Sequence, residues 1–299
     1  MEKFCWIQRL PEECLLHVLS GPHSRRVQVA AVSPAFRSAA DSYAVWKHFL
    51  PSDHADIVSR AVHPVIYPSL KELYFILCDS ILMDGGKKAF CLEKESGAKC
   101  YTLCARDLGI AWGDDERYWR WVFHPRSRFS EVAELRNVWW FDICGKINCR
   151  ELSPNKTYKA FFIFKLTPQS YGLKYPAQQA SVRLGSQISE QDVCLNPSEE
   201  DFHAHREHNV TLGGDEVIVG QIEDTVDHGT QEQASAAHNN VSDELRVPYE
   251  RNDGWMEIEM GEFFNEDGDD GEVSMRLREV KVLGSKHGLI IEGIEVRTN

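Results

Sequence analysis

One stretch of the chain carries side chains suited to carbohydrate binding. Residues 110–121 read Ile-Ala-Trp-Gly-Asp-Asp-Glu-Arg-Tyr-Trp-Arg-Trp, in which tryptophans are interspersed with acids, arginines and glycine. Because these rings do not share one face of any regular element, we expect some of them to be exposed. Sugars stack their C–H faces on indole rings while their hydroxyl groups exchange hydrogen bonds with carboxylates. The stretch predicts a sugar site, and the alternative is that its rings cap a core.

Other reactive side chains form weaker patterns. Candidate metal ligands are three histidines and two cysteine pairs: His203, His205, His208, Cys100 with Cys104, and Cys144 with Cys149. The histidines fall in an acidic, polar segment, and the cysteine spacings differ from Cys-x-x-Cys in strand-like runs where cysteine packs as a small apolar residue. No nucleophile elbow, phosphate loop or His-Glu-x-x-His motif is present. We expect no metal, no cofactor and no enzymatic activity.

Acidity is concentrated in one segment of this 299-residue chain of net charge −13. Between Ser186 and Val247 there are 14 acidic and 2 basic residues, against 32 acidic and 31 basic residues elsewhere. This segment has one aromatic residue, Phe202, and predicts a disordered insertion, with short strands at 193–195 and 217–222. The nearly neutral remainder has no basic stripe, so nucleic-acid binding is not expected.

The chain also lacks the signals of membrane insertion and export. No segment approaches the roughly 20 consecutive apolar residues that span a bilayer. Residues 1–10 do not have the basic start and apolar run of a secretory signal, and the cysteine count of nine is odd. We therefore expect reduced thiols, no membrane partner, and a cytoplasmic and nuclear location.

Two periodicities divide the chain. From Leu10 to Leu50 apolar residues recur at helical spacing, and three short helices are expected; from Lys87 onward they alternate as in strands. Many antiparallel strands without helical crossovers indicate a β-sandwich or jelly roll. The predicted fold class is α+β multidomain: a small three-helix module at 1–50, a helical connector at 51–86, and an all-β domain at 87–299 with the insertion at 186–247.

The N-terminal module resembles an F-box. The similarity is carried by Leu-Pro-Glu-Glu-Cys at 10–14, Ala-Val-Ser-Pro-Ala-Phe-Arg-Ser-Ala-Ala-Asp-Ser at 31–42 and Val-Trp-Lys-His-Phe-Leu-Pro at 45–51. The resemblance implies binding to the Skp-type adaptor of a Skp-cullin-F-box ubiquitin ligase. The candidate adaptor-facing residues are Leu10, Pro11, Leu15, Val18 and Leu19.

The larger domain resembles the plant phloem protein 2 lectins, the Nictaba-related domain. Among the matching runs are Ile-Ala-Trp-Gly-Asp at 110–114, Arg-Tyr-Trp-Arg-Trp at 117–121, Asp-Gly-Trp-Met-Glu-Ile-Glu-Met-Gly-Glu-Phe-Phe at 253–264 and Gly-Leu-Ile-Ile-Glu-Gly-Ile-Glu-Val-Arg at 288–297. Together with the F-box, they make the chain similar to F-box proteins of the phloem protein 2-B type. The resemblance implies that Trp112 and Trp119 bind glycans containing N-acetylglucosamine, and that Glu257 and Glu259 contribute carboxylates.

These features predict a substrate receptor. The helical module would hold the adaptor and cullin complex, and the β domain would select a glycan or glycoprotein for ubiquitin transfer by other subunits. Two alternatives remain open. One is a free nucleocytoplasmic lectin in stress or defence signalling, and the other is an F-box receptor that recognises protein surfaces without sugar.

Overall fold

The computed structural model describes residues 43–197, 245–267 and 271–298. Several predictions concern residues outside these ranges. They are the helices expected before residue 43, the strand expected at 217–222, the three histidines, and the adaptor-facing candidates Leu10, Pro11, Leu15, Val18 and Leu19.

Within the described residues, three α-helices precede fourteen β-strands. The helices are α1 Tyr43–Phe49, α2 His54–Ser59 and α3 Leu70–Cys78. The first seven strands are β1 Ile81–Met83, β2 Lys88–Leu92, β3 Lys99–Cys104, β4 Gly109–Ile110, β5 Trp119–Val122, β6 Val132–Leu135 and β7 Phe141–Asn148. The others are β8 Lys156–Tyr171, β9 Gln178–Leu184, β10 Gln187–Val193, β11 Tyr249–Glu250, β12 Met256–Asn265, β13 Glu272–Glu279 and β14 His287–Arg297. No described helix has the length and apolar character needed to cross a membrane.

The helices pack on one another and on the β domain. The ring of Trp46 in α1 lies 5.4 Å from that of Tyr74 in α3. The side chain of Ser69 caps the start of α3 by accepting a hydrogen bond from the Glu72 backbone N–H. Arg60, which follows α2, forms ion pairs with Asp84 at 2.7 Å and with Glu151 at 3.0 Å. The connector is therefore fixed to the strands, as its apolar sequence predicts.

The strands form two antiparallel sheets. The first has the order β1-β2-β3-β14-β8-β12-β11, and the β5–β6 hairpin joins it where β6 pairs with β14. The second has the order β10-β9-β13-β7-β4. This arrangement confirms the predicted all-β character of the larger domain.

One core lies between the two sheets. Strand β8 alternates as a half-buried strand should, burying Tyr158, Phe162 and Phe164 on its inner face. Val273 and Leu277 of β13 face them from the second sheet and belong to the same cluster of buried side chains. Each such side chain stabilises the fold by about 1.5–3 kcal/mol when fully buried. This core anchors the loops that carry the candidate site.

Two predicted boundaries are wrong. The β domain begins at Ile81 rather than at residue 87, because β1 pairs with β2. The predicted insertion at 186–247 starts too early, because β10 pairs with β9 along its whole length and Cys194 and Val247 are buried. Strand β10 lies at a sheet edge, where most of its residues face solvent. Its acidic, polar composition therefore suits an exposed strand as well as a disordered segment.

Candidate functional site

A tight turn places Trp112 at the surface. The backbone N–H of Ala111 bonds to Asp142 of β7, and the next residues turn back so that the Gly113 N–H donates to the Ile110 carbonyl at 2.9 Å. Trp112 takes a left-handed backbone conformation with φ of +63°, which is rare for a bulky residue. As a result its indole is 53% exposed.

Trp119 is in the opposite environment. Its side chain is only 1% exposed, and its Nε1–H donates to the Ala111 carbonyl at 3.0 Å. The neighbouring Trp121 similarly donates from Nε1 to Gly113 at 2.9 Å. The prediction that Trp119 stacks on a sugar is therefore wrong, because its ring is in the core. Both tryptophans hold the 111–113 turn in place and so position Trp112.

Four aromatic residues line a cleft beside this turn. The Trp112 ring centroid lies 5.8 Å from that of Tyr118 and 6.0 Å from that of Trp140, at steep angles. Trp139 lies on the same cleft and is 64% exposed. With Asn137, Val138 and Leu283, these residues enclose about 350 Å³, which we call the Trp112 cleft. Its lining includes no charged side chain.

A buried lysine fixes one wall of the Trp112 cleft. Lys286 is 2% exposed, and its Nζ donates to the carbonyls of Trp139, Val282 and Gly284 at 2.8, 2.9 and 3.1 Å. The Nζ also lies 2.6 Å from Oε2 of the buried Glu279, as an ion pair without hydrogen-bond alignment. A buried ammonium is tolerated only with such partners. Lys286 therefore joins the 282–284 loop to the backbone of Trp139.

The carboxylate of Glu279 completes this support. Its Oε1 accepts hydrogen bonds from the backbone N–H groups of Lys281 and Val282 at 2.8 and 2.9 Å. On the other side of the cleft wall, Val138 and Lys286 exchange two backbone hydrogen bonds of 3.0 and 2.8 Å. The cleft is thus built on a rigid frame even though its rims are loops.

Glu257 lies elsewhere, on the outer face of the first sheet. Its carboxylate pairs with Arg251 at 2.7 Å and with Arg297 at 2.6 Å, and Glu295 pairs with the same two arginines. Arg251, Glu257, Glu295 and Arg297 make up what we call the sheet-face network. Burial opposes ionisation of Glu257, but the hydrogen bonds and charges of Arg297 and Arg251 outweigh it and hold its pKa below the usual value.

Glu259 is also engaged by protein groups. Its carboxylate lies 3.1 Å from Nζ of Lys159, and its backbone carbonyl accepts a hydrogen bond from the Gln191 side chain. Neither Glu257 nor Glu259 lines the Trp112 cleft. Glu257 instead lines a separate, charged depression of about 460 Å³. The structure does not bring the two predicted carboxylates to Trp112.

Sequence reasoning missed six residues of the cleft as site residues: Tyr118, Asn137, Val138, Trp139, Trp140 and Leu283. The Trp-Trp-Phe run at 139–141 did carry a signal, because three consecutive rings of an extended segment cannot all face the core. A bend at Trp139 interrupts the alternation, so that Trp139 and Phe141 do not share a side. Phe141 is buried in β7, while Trp139 faces solvent just before that strand. Leu283 gave no such signal, since its place in the cleft depends on Lys286.

Comparisons with known proteins identify one family. Residues 98–298 match the family model of Phloem protein 2. The chain is 40% identical to F-box protein PP2-B15 of Arabidopsis thaliana, over 96% of both chains. It is 38% identical to F-box protein VBF of the same plant, over 96% of this chain and 98% of that protein.

Two solved structures are distantly similar to the chain. One is TmCBM61 in complex with β-1,4-galactotriose, with a TM-score of 0.31 and 9% identity, covering 65% of this chain and 90% of that one. The other is a family 35 carbohydrate binding module from Clostridium thermocellum, also with a TM-score of 0.31 and 9% identity, covering 67% and 98%. Similarity at this level does not define a ligand for the present chain.

Proposed function

We propose a function from one premise: the chain belongs to the phloem protein 2 family, and relatives that match nearly its whole length are named F-box proteins. The function is that of a substrate receptor in a Skp-cullin-F-box ubiquitin ligase of the cytoplasm and nucleus. Its β domain binds a glycan or glycoprotein containing N-acetylglucosamine, and its N-terminal module binds the Skp-type adaptor. Other subunits carry out the bond chemistry.

The observation that supports glycan binding is the Trp112 cleft. Two of its rings, Trp112 and Trp139, are exposed although large apolar side chains normally gain free energy by burial. Hydrogen bonds from Trp119 and Lys286 hold the backbone on which these rings stand. A concave, mostly aromatic lining with a few polar groups is the usual form of a small-ligand site, and the volume of about 350 Å³ is at the lower end of that class. The uncharged lining favours a neutral sugar.

The cleft also has groups that suit an acetamido sugar. Such a sugar carries a methyl group next to an amide, so its binding needs an apolar contact beside a hydrogen-bonding group. Val138 and Leu283 offer apolar surface, and Asn137 lies next to them with an amide side chain. The Asn137 Oδ1 accepts a hydrogen bond from Ser285 at 2.8 Å, which orients the amide.

A glycan array probed with the full chain tests this function. We expect binding to glycans that present N-acetylglucosamine, and competition by a soluble chitin oligosaccharide. Binding only to other sugars would keep the lectin function and change its specificity. If the folded chain bound no glycan, recognition of a protein surface would replace this proposal.

Adaptor binding requires a separate experiment. The full chain should co-purify with a Skp-type adaptor when the two are expressed together. Leu15→Arg, at a candidate adaptor-facing position, should abolish co-purification, while Trp112→Ala should leave it unchanged. If wild-type chain and adaptor failed to associate, the free-lectin alternative would be favoured.

A further inference from the structure

A second aromatic cleft adjoins the first at the 282–286 segment, which contributes residues to both. It encloses about 430 Å³ and is lined by residues from the end of β8, the following loop and the 282–286 segment. Tyr171 and Tyr175 on its rim are 63% and 82% exposed. Asn196, Ser170 and Ser285 supply neutral polar groups in the lining, which also includes Lys174 and the buried Lys286. We call this the Tyr171 cleft.

The two clefts share one wall. Val138 pairs with Lys286 on the side of the Trp112 cleft, and Tyr171 pairs with His287 on the other side. Since neighbouring strands lie about 4.8 Å apart, the segments bearing Val138 and Tyr171 are separated by only about 10 Å. Ser285, which lines the Tyr171 cleft, donates to Asn137 of the Trp112 cleft. The two clefts therefore lie on either side of the 282–286 segment, and a short oligosaccharide that occupied both would cross it.

The Tyr171 cleft is rigid enough to act as a platform. The Tyr171 ring stacks on His287, with centroids 5.8 Å apart and planes at 21°. Gly172 has φ of +71°, and a Cβ atom there would lie 2.3 Å from the Ser285 carbonyl oxygen, so only glycine allows this close approach. The buried Lys286 supports both clefts, because it lines the second and bonds to the Trp139 backbone of the first.

We propose that the Tyr171 cleft is a second subsite for the oligosaccharide that the Trp112 cleft binds. This inference rests on the proposed glycan-binding function and extends it from a single sugar unit to a chain. Exposed rings beside hydroxyl and amide groups are the surface that a sugar chain requires. Because the two clefts share the 282–286 segment as a wall, we expect a single oligosaccharide to occupy both, rather than two separate ligands.

The test is calorimetric titration of the full chain with a chitin disaccharide and a chitin hexasaccharide. The wild-type chain should bind the hexasaccharide more tightly than the disaccharide. The double variant Tyr171→Ala with Tyr175→Ala should lose about three- to tenfold in hexasaccharide affinity, as expected for lost aromatic contacts, and keep its disaccharide affinity. Tyr249→Ala, which removes another exposed ring, 55% exposed and in β11, is the matched control and should change neither value.

Failure of the second subsite can be distinguished from failure of glycan binding itself. If the double variant bound the hexasaccharide as tightly as wild type, the second subsite would be refuted while the Trp112 cleft remained a sugar site. Equal wild-type affinity for the two ligands would refute it as well. If wild type bound neither ligand, the proposed specificity for N-acetylglucosamine would fail, and the second subsite would fail with it.

Discussion

In the Trp112 cleft the large side chains face solvent, whereas in the sheet-face network the charged side chains face one another. Trp112 and Trp139 are 53% and 64% exposed, and the contacts that hold them are made through backbone and ring edges. Glu257 in the network has two arginines within 2.7 Å, and its side chain is only 16% exposed. Both regions contain residues that the sequence marks for sugar binding.

The difference shows what a binding residue needs besides the right chemistry. A sugar hydroxyl that bonded to Glu257 would have to compete with Arg251 and Arg297, and the displaced charges would lose their partners. A sugar that stacks on Trp112 displaces only water. The network therefore stabilises the sheet, and the cleft is available to a ligand.

The largest effect on stability is expected at Trp119, which supports the cleft from the core. Trp119→Ala should lower the free energy of unfolding by about 3–5 kcal/mol, the range for truncating a buried aromatic side chain. Trp112→Ala should change it by less than about 0.5 kcal/mol, because that ring is largely exposed. Denaturant unfolding of the two variants measures the contrast. Equal losses of stability in the two variants would contradict the assignment of Trp119 to the core and of Trp112 to the surface.

Replacing Lys286, which supports the wall of the Trp112 cleft, should lower the stability of the fold by a similar amount. Lys286→Met leaves Glu279 buried without its cation, which costs about 3–5 kcal/mol. Adding Glu279→Gln should restore most of the stability, because glutamine is neutral and keeps the oxygen that accepts from Lys281 and Val282. Thermal unfolding of the single and double variants checks this coupling. If the stability losses of the two single variants simply added in the double variant, the proposed coupling between Lys286 and Glu279 would be contradicted.

The sheet-face network should contribute a smaller amount. Glu257→Gln weakens the charged hydrogen bonds that Glu257 accepts from Arg251 and Arg297. It should lower the free energy of unfolding by about 1–3 kcal/mol. Glycan affinity should not change, because Glu257 does not line the Trp112 cleft. The same protein sample can be used for unfolding and for sugar titration. Loss of affinity with unchanged stability would reverse the roles given to the two regions.

The pH dependence of stability should show a still smaller effect, which comes from Glu257 of the sheet-face network. The pKa of Glu257 is held below its usual value of about 4.3, so its stabilising contribution is present above that value and is lost as the pH falls through the lowered pKa. The stability difference between wild type and Glu257→Gln should therefore shrink under acid conditions. It should be constant from about pH 5 to pH 8. A difference that grew in acid would show that the charges do not stabilise the fold.

Much of the fold could be predicted from local pattern. The hairpin of β2 and β3 follows from two apolar runs around Ser96-Gly97, and Gly97 does take a positive φ of +68°. Strand β8 follows from its alternation. Strand β10 was assigned to the insertion because an edge strand with one polar face has the composition of a disordered segment.

The candidate site could be predicted only in part. Trp112 and Trp119 have the same side chain and lie in the same aromatic stretch, and the left-handed backbone conformation at Trp112 distinguishes them. A sequence pattern does not reveal which of two such rings the backbone turns outward. The contribution of Leu283 was hidden because it depends on the pairing of Lys286 with Glu279, residues that look like surface charges in the sequence.

The most direct test compares the two regions in one binding experiment. The full chain, Trp112→Ala and Glu257→Gln are each titrated with a chitin oligosaccharide by calorimetry, after unfolding curves confirm that each is folded. We expect Trp112→Ala to abolish binding and Glu257→Gln to bind like wild type. Retained binding by Trp112→Ala together with loss by Glu257→Gln would contradict the account and would place the sugar site on the sheet face.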